Sequence, residues 1–249
     1  MKLKVARVLR SYWLMLKWQA LSQKPLLPLN MAVQIMIAVS FIIGLSFFYP
    51  QLDPLTAKYL TTGAPTIILL MIGLVLLPQI VGMARKEGTF DYMWSLPVPR
   101  MIYIAADATI WVAVALPGVI IALAMGAAYH DFSLVISPLV IPALLLVATC
   151  GVLLGYTIAH GAPKPEIAHI ITQILVFIIM LFSPILYPAE QLPGWLATLH
   201  NFLPIQYMAD LSRGTLTNLD VNLGLAFGVV GAWCAVGLIA TNYLVKRRR

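Results

Sequence analysis

Apolar residues along this chain are gathered into long, nearly unbroken runs rather than spaced for one face of a water-soluble helix or strand. Residues 29–49, 59–84, 132–159 and 221–245 carry no charged side chain, 101–129 carries only Asp107, and 167–187 carries only His169. A helix rises about 1.5 Å per residue and a bilayer core is about 30 Å thick, so about 20 apolar residues suffice to cross it. Each run meets that length. The pattern predicts six membrane-spanning helices, with the longer runs tilted or trimmed.

The segments between the runs predict further elements. Within residues 1–28, Val5, Val8, Leu9, Tyr12, Trp13 and Leu16 cover one arc of a helical wheel, while Lys4, Arg7, Arg10 and Lys17 fall opposite. This reads as a basic amphipathic helix lying along the inner membrane surface. Leu14 and Trp18 interrupt its polar face and leave room for a protein contact. Pro25 and Pro28 end it before the first span. The first apolar run lies behind this basic segment and is too long for the core of a cleaved signal. Residues 191–209 also lack Asp, Glu, Lys and Arg, but they are broken by Pro193, Gly194 and Pro204 and hold His200, Asn201 and Gln206. Backbone groups freed at those breaks would go unpaired in lipid. The expectation is an outer re-entrant pair of short helices within 188–220, not a seventh crossing.

Composition supports this reading. Of 249 residues, 61% are hydrophobic and 10% are charged, against about 25% charged in soluble domains. The net charge of +7 is no nucleic-acid signature, because the cations sit at the ends of the apolar runs. With six spans and an inside start, Lys2, Lys4, Arg7, Arg10, Lys17, Lys24, Arg85, Lys86, Arg100, Lys164, Lys246, Arg247, Arg248 and Arg249 lie inside, and only Lys58 and Arg213 lie outside. Positive charge favours the cytoplasmic side, so a multi-pass protein of the cell's inner (plasma) membrane with both termini cytoplasmic is expected. Cys150 and Cys234 each sit inside an apolar run and read as small buried hydrophobes.

Residues 85–100, RKEGTFDYMWSLPVPR, follow the second run on the inner side. Phe90, Met93 and Trp94 fall at i, i+3 and i+4, one stripe on a short helix stopped by Pro97 and Pro99. Two readings stand on spacing alone: a helix that docks its knobs into a soluble partner, or a loop anchored at the headgroups. After the fifth run, Pro184 and Pro188 break the helix, and Trp195 and Tyr207 are interface anchors. Asp107 and His169 are the ionisable groups within spans and so are candidate functional residues. Asp107 could instead reach the inner surface or pair with Arg100, and His169 could be interfacial. The loop holding His160, Lys164 and Glu166 is a second candidate contact for a partner. The histidines are too scattered for a metal site, and no GxxxxGK[ST] phosphate loop is present. Gly151–Gly155 and Gly224–Gly228 are GxxxG pairs, read here as packing within the chain.

Taken together, these segments resemble the membrane subunit of type-2 ABC exporters. The resemblance rests on Arg85, Glu87, Gly88 and Thr89, which open the inner segment. It rests also on Ser183, Pro184, Ile185, Tyr187, Pro188, Leu192 and Pro193, with Leu203 and Pro204 beyond. It implies a single all-α integral-membrane permease domain over 1–249, with 85–100 as an inner coupling segment. It implies two ATP-binding subunits docked at Glu87, Gly88, Thr89, Phe90, Met93 and Trp94, which would hold the ATP and Mg. It implies that this chain itself needs no cofactor and is not an enzyme. The resemblance further implies a homodimer in membrane lipid, with Phe177, Phe182, Ser183, Pro184, Tyr187 and Pro188 along the path or at an outer gate. Family substrates include drugs, lipids and glycans. The apolar spans lean toward an amphipathic drug or lipid, while the aromatic side chains on the fifth span would equally suit sugar stacking. A lipid-modifying membrane enzyme would need clustered polar groups at one depth, and an ion-coupled transporter paired buried charges and repeated halves. Neither pattern is visible.

Overall fold

The computed structural model describes residues 2–47 and 53–247, without the side chains of residues 2–5, 90, 91 and 94. Tyr49, Arg248, Arg249 and the side chains of Lys4, Val5, Phe90 and Trp94 therefore lie outside the described residues. Among those described there is no strand. Six helices are long and apolar enough to cross a membrane: span 1 Leu27–Gly44, span 2 Pro54–Lys86, span 3 Arg100–Tyr129, span 4 Val140–Gly161, span 5 Pro165–Phe182 and span 6 Leu223–Arg247.

Two boundaries differ from expectation. Span 4 starts at Val140, not at residue 132. The residues before it are irregular, and the N–H groups of Val135 and Ser137 donate to the carbonyls of Leu216 and Thr215 at 3.1 and 2.9 Å. They thereby satisfy the end of a short helix, Pro204–Leu216, whose last carbonyls lack partners of their own. Span 5 stops at Phe182, not at 187. Pro184 bars helical geometry at the residue before it, and Ser183 is extended with ψ 136°.

Span 2 is the central column. In its most apolar stretch 61% of the residues are buried, against 17% in those of spans 1, 5 and 6. Spans 3 and 4 flank it, span 1 packs outside span 3, span 6 packs outside span 4, and span 5 lies against its second half, residues 71–86. The close approach to span 4 is made by glycines. A side chain on Gly73 would strike the Gly151 backbone, and one on Gly155 would strike the Gly73 carbonyl oxygen. The Gly151–Gly155 pair thus packs within the chain, as expected. Gly228 has open space where a side chain would go, so the second GxxxG pair makes no such intrachain contact. Around Gly73, span 2 widens into a π-turn at Met71–Leu76, and the Leu77 N–H donates back to Ile72. The π-turn ends two residues before Pro78, whose ring would otherwise press on the carbonyl of residue 74. Polar pairs add links between spans: Gln79 Nε2 donates to Thr172 Oγ1 at 3.2 Å, and Thr241 Oγ1 donates to the Leu153 carbonyl at 3.1 Å.

The N-terminal helix, Lys2–Gln23, lies across span 3. Its protein-facing side is Met15, with Gln19 buried and Tyr12 and Leu16 partly buried, while Leu9, Trp13, Leu14 and Trp18 are exposed. The predicted apolar arc is therefore divided between protein and the surroundings. Tyr12 donates to Thr109 Oγ1 of span 3 at 2.7 Å, since the threonine hydroxyl is committed to the Ala105 carbonyl. At the other end of the bundle His130 closes the first three spans. Ser46 donates to Ile42, so His130 Nε2–H donates to Ser46 Oγ at 3.0 Å and Nδ1 accepts from Thr61 at 2.9 Å. Burial holds this imidazole below its usual range, which keeps the neutral form that the arrangement needs.

The glycine crossing generates a paired expectation. Gly155→Val should lower the stability of the purified chain by more than about 3 kcal/mol, because backbone rather than a movable side chain blocks the new atoms. Gly228→Val should change it by less than about 0.5 kcal/mol. Denaturation in detergent checks both, and equal effects would contradict the packing.

Candidate functional site

The segment joining spans 2 and 3 sits at the end of the bundle that also carries the N-terminal helix and the end of span 6. Glu87 ends span 2, and Gly88 turns the chain with φ +73°, a left-handed conformation that favours glycine. A short helix, Thr89–Ser95, follows. Glu87, Gly88 and Thr89 are exposed. Met93 is not: it is 8% exposed and packs with Met15 and Ala106. It therefore anchors the segment to the bundle, which corrects the expectation that it faces outward with Phe90 and Trp94. The outward aromatic that sequence reasoning missed is Tyr92, 59% exposed.

Both ends of this segment are tied to the carboxyl ends of other spans. Arg85 Nη1 donates to the Ala159 carbonyl of span 4 at 2.8 Å, and Arg100 Nη1 donates to the Val245 carbonyl of span 6 at 2.5 Å. The last carbonyls of a helix lack partners within it and carry partial negative charge, so a guanidinium suits both needs. Lys86 reaches Glu166 of span 5 at 3.6 Å. That pair is exposed, so it steers more than it stabilises.

The opposite end holds the Ser-Pro segment. Ser183, Pro184 and Ile185 are buried, and Gly63 of span 2 admits the Ile185 carbonyl where a side chain would collide. Tyr187 donates to the Leu181 carbonyl at 3.0 Å, and burial raises its phenol above the usual range. A cavity of about 360 Å³ opens here, lined by Phe182, Tyr187, Leu192, Pro193 and Trp195. Pro188 is half-buried, and Phe177 and Phe182 are exposed on span 5. Two short helices, Gly194–His200 and Pro204–Leu216, follow as expected, and the second packs between spans 2, 4 and 6.

Arg213 was counted in the sequence as one outer surface charge, yet its side chain is 3% exposed. Nη1 meets Asp210 Oδ1 at 2.6 Å, Nη2 donates to the Ile185 carbonyl at 2.8 Å, and the guanidinium lies 3.9 Å over the Tyr59 ring. One residue thereby joins the helix Pro204–Leu216, the Ser-Pro turn and the start of span 2. Burial raises the Asp210 carboxyl above its usual range although Arg213 pulls the other way. The sequence signal was the Asp-x-x-Arg spacing within an apolar helix.

The two ionisable candidates lie apart. Asp107 is buried, neither reaching the inner surface nor resting on Arg100 for its bond: it accepts from the Tyr156 hydroxyl of span 4. His169 is exposed and lines a cavity of about 370 Å³ between spans 2 and 5 with Lys86 and Glu166. Among the described residues no three His, Cys, Asp or Glu side chains gather as a metal site.

A family model described as ABC-2 type transporter matches residues 11–217 of the chain. No curated protein matches it closely enough to serve as a relative.

The Arg213 cluster predicts a large cost for removing one partner. Arg213→Met should destabilise the chain by about 3–5 kcal/mol, because the partly buried Asp210 loses the cation that offsets its desolvation and the Ile185 carbonyl loses its donor. Adding Asp210→Asn should restore at least half of that loss. Thermal unfolding of the purified single and double variants checks this, and a single variant of near-normal stability would contradict it.

Proposed function

The chain belongs to the ABC-2 type transporter family, and we propose that it exports its substrate as a pair with a second copy of itself, above two separate ATP-binding subunits that hold the ATP and Mg. The family places it as the membrane component of an ABC transport system that associates with an ATP-binding subunit. The charge split supports a plasma-membrane orientation in which the end carrying Arg85 and Arg100 faces the cytoplasm.

The observation that carries the reading is the fastening of the segment between spans 2 and 3. Glu87, Gly88, Thr89 and Tyr92 present an exposed docking edge, with Phe90 and Trp94 as further candidates from the sequence. A displacement delivered there passes covalently to spans 2 and 3. It passes to span 4 through Arg85, to span 6 through Arg100 and to span 5 through Lys86 and Glu166. Met93 against Met15 includes the N-terminal helix. The bundle then moves as one body against its partner copy, opening and closing a path between them. The uncovered face of span 5, with Ile174, Phe177, Leu181 and Phe182, supports that span as a wall of the path, and the cavity at Tyr187 supports an outer gate. An apolar aromatic wall suits an amphipathic drug, a lipid or a stacked sugar of a glycan.

Two sets of variants test this. Truncating a buried aromatic anchor costs about 2 kcal/mol, about 30-fold in affinity. Tyr92→Ala, Phe90→Ala or Trp94→Ala should therefore weaken capture of the ATP-binding subunit sharply, and Glu87→Ala more mildly, at matched membrane levels. Arg85→Gln should leave capture within about twofold yet abolish export. Normal capture in all of the aromatic variants would sink the docking assignment; normal export in Arg85→Gln would sink the transmission route.

A further inference from the structure

Spans 3 and 6 both pack on span 4, and a groove runs between them at the end of the bundle that carries the basic residues. It has two parts. The deeper part, about 340 Å³, is lined by Ile104, Ala108, Val152, Leu153, Ala235 and Leu238. The shallower part, about 590 Å³, is lined by Pro99, Arg100, Asn242, Val245 and Lys246. Met101 lines both, so the two parts meet. From Asn242 back to Cys234 of span 6, the groove passes from polar to apolar over about 12 Å of helix rise. Ala105, Thr149, Ala235 and Leu238 are exposed, so the deeper part opens sideways, toward the bilayer rather than toward the interior.

We propose that this groove binds one anionic phospholipid of the inner leaflet, with its phosphate at Arg100 and Lys246 and an acyl chain between spans 3 and 6. The polar mouth presents two cations, and no acidic residue lines it among those described. Arg100 is held in place by its bond to the Val245 carbonyl. It opens span 3, a helix of 30 residues, whose first N–H groups add positive potential at the same point. A zwitterionic headgroup would bring a cation with no carboxylate to meet it. A free phosphate would leave the apolar part unused. The site rests on the two cavities and their charge, and its place in the inner leaflet rests on the orientation proposed above.

The test is native mass spectrometry of the purified full chain in neutral detergent, with phosphatidylglycerol, phosphatidylcholine or glycerol 3-phosphate added. The chain should retain one phosphatidylglycerol in preference to phosphatidylcholine by about fivefold or more, and glycerol 3-phosphate should not displace it. Lys246→Gln should cut the preference about fivefold, the effect of one cation near an anionic surface. Ala235→Phe, which fills the apolar part, should lower retention of both lipids. Equal retention of the two lipids, displacement by glycerol 3-phosphate, or a preference untouched by Lys246→Gln would each overturn the proposal. Lys246 is exposed in the last turn of span 6, so its variant decides the matter even if Ala235→Phe fails to fold.

Discussion

Lipid gives apolar helices no reason to leave it for one another, so a bundle such as this must be drawn together by close backbone packing and by a few polar bonds. Here that constraint falls on Gly73, Gly151 and Gly155, where the backbones of spans 2 and 4 meet with no side chain between them. Everything else is hung on those two columns. Span 1 reaches the rest through spans 2 and 3, span 6 packs on span 4 and on the helix Pro204–Leu216, and side-chain bonds from Asp107 and Arg100 tie span 3 to spans 4 and 6. The π-turn and Pro78 follow from the same demand, because span 2 must bend and widen where span 4 crosses it. Threonine and glutamine side chains then fix the register that dispersion forces alone would leave loose.

The two ends of the bundle are secured differently. At the basic end, guanidinium groups cap the last carbonyls of spans 4 and 6 from the ends of one connecting segment. At the other end a single buried arginine holds the helix Pro204–Leu216, the Ser-Pro turn and span 2 together. Each of these arginines is bonded to a backbone carbonyl, which is present whatever the neighbouring side chain, and Arg213 adds the Asp210 carboxylate to that bond. Such fastenings suit a body that has to move as a unit when pushed at one end.

Much of the fold was legible in the sequence because its determinants are local. Run length gave the six spans, Pro25 and Pro28 gave the end of the N-terminal helix, and the breaks at Pro193, Gly194 and Pro204 gave two short helices in place of a seventh crossing. Gly88 stands where a positive φ is needed, within the stretch that carried the family resemblance. What stayed hidden depends on partners far along the chain. Apolarity could not reveal that residues 132–139 are held by Thr215 and Leu216 instead of joining span 4. A wheel places Phe90, Met93 and Trp94 on one arc but does not say what that arc faces, and Met15 claims Met93. Asp107 finds Tyr156, 49 positions away. A census of charge treats every cation as solvated, so Arg213 passed as an outer loop residue. The pull of Pro184 on Ser183 was local and visible, yet the apolar run across it masked the end of span 5.

The central claim is that the segment around Gly88 is where an ATP-binding subunit delivers its motion. The direct measurement is photo-cross-linking in native membranes, with a photoreactive amino acid placed at Tyr92 at one end of the bundle or at Trp195 at the other. Both side chains are exposed, at 59% and 71%. The account predicts a covalent adduct with an ATP-binding subunit from position 92 and none from position 195. An adduct from position 195, or capture of no ATP-binding subunit from position 92, would contradict it.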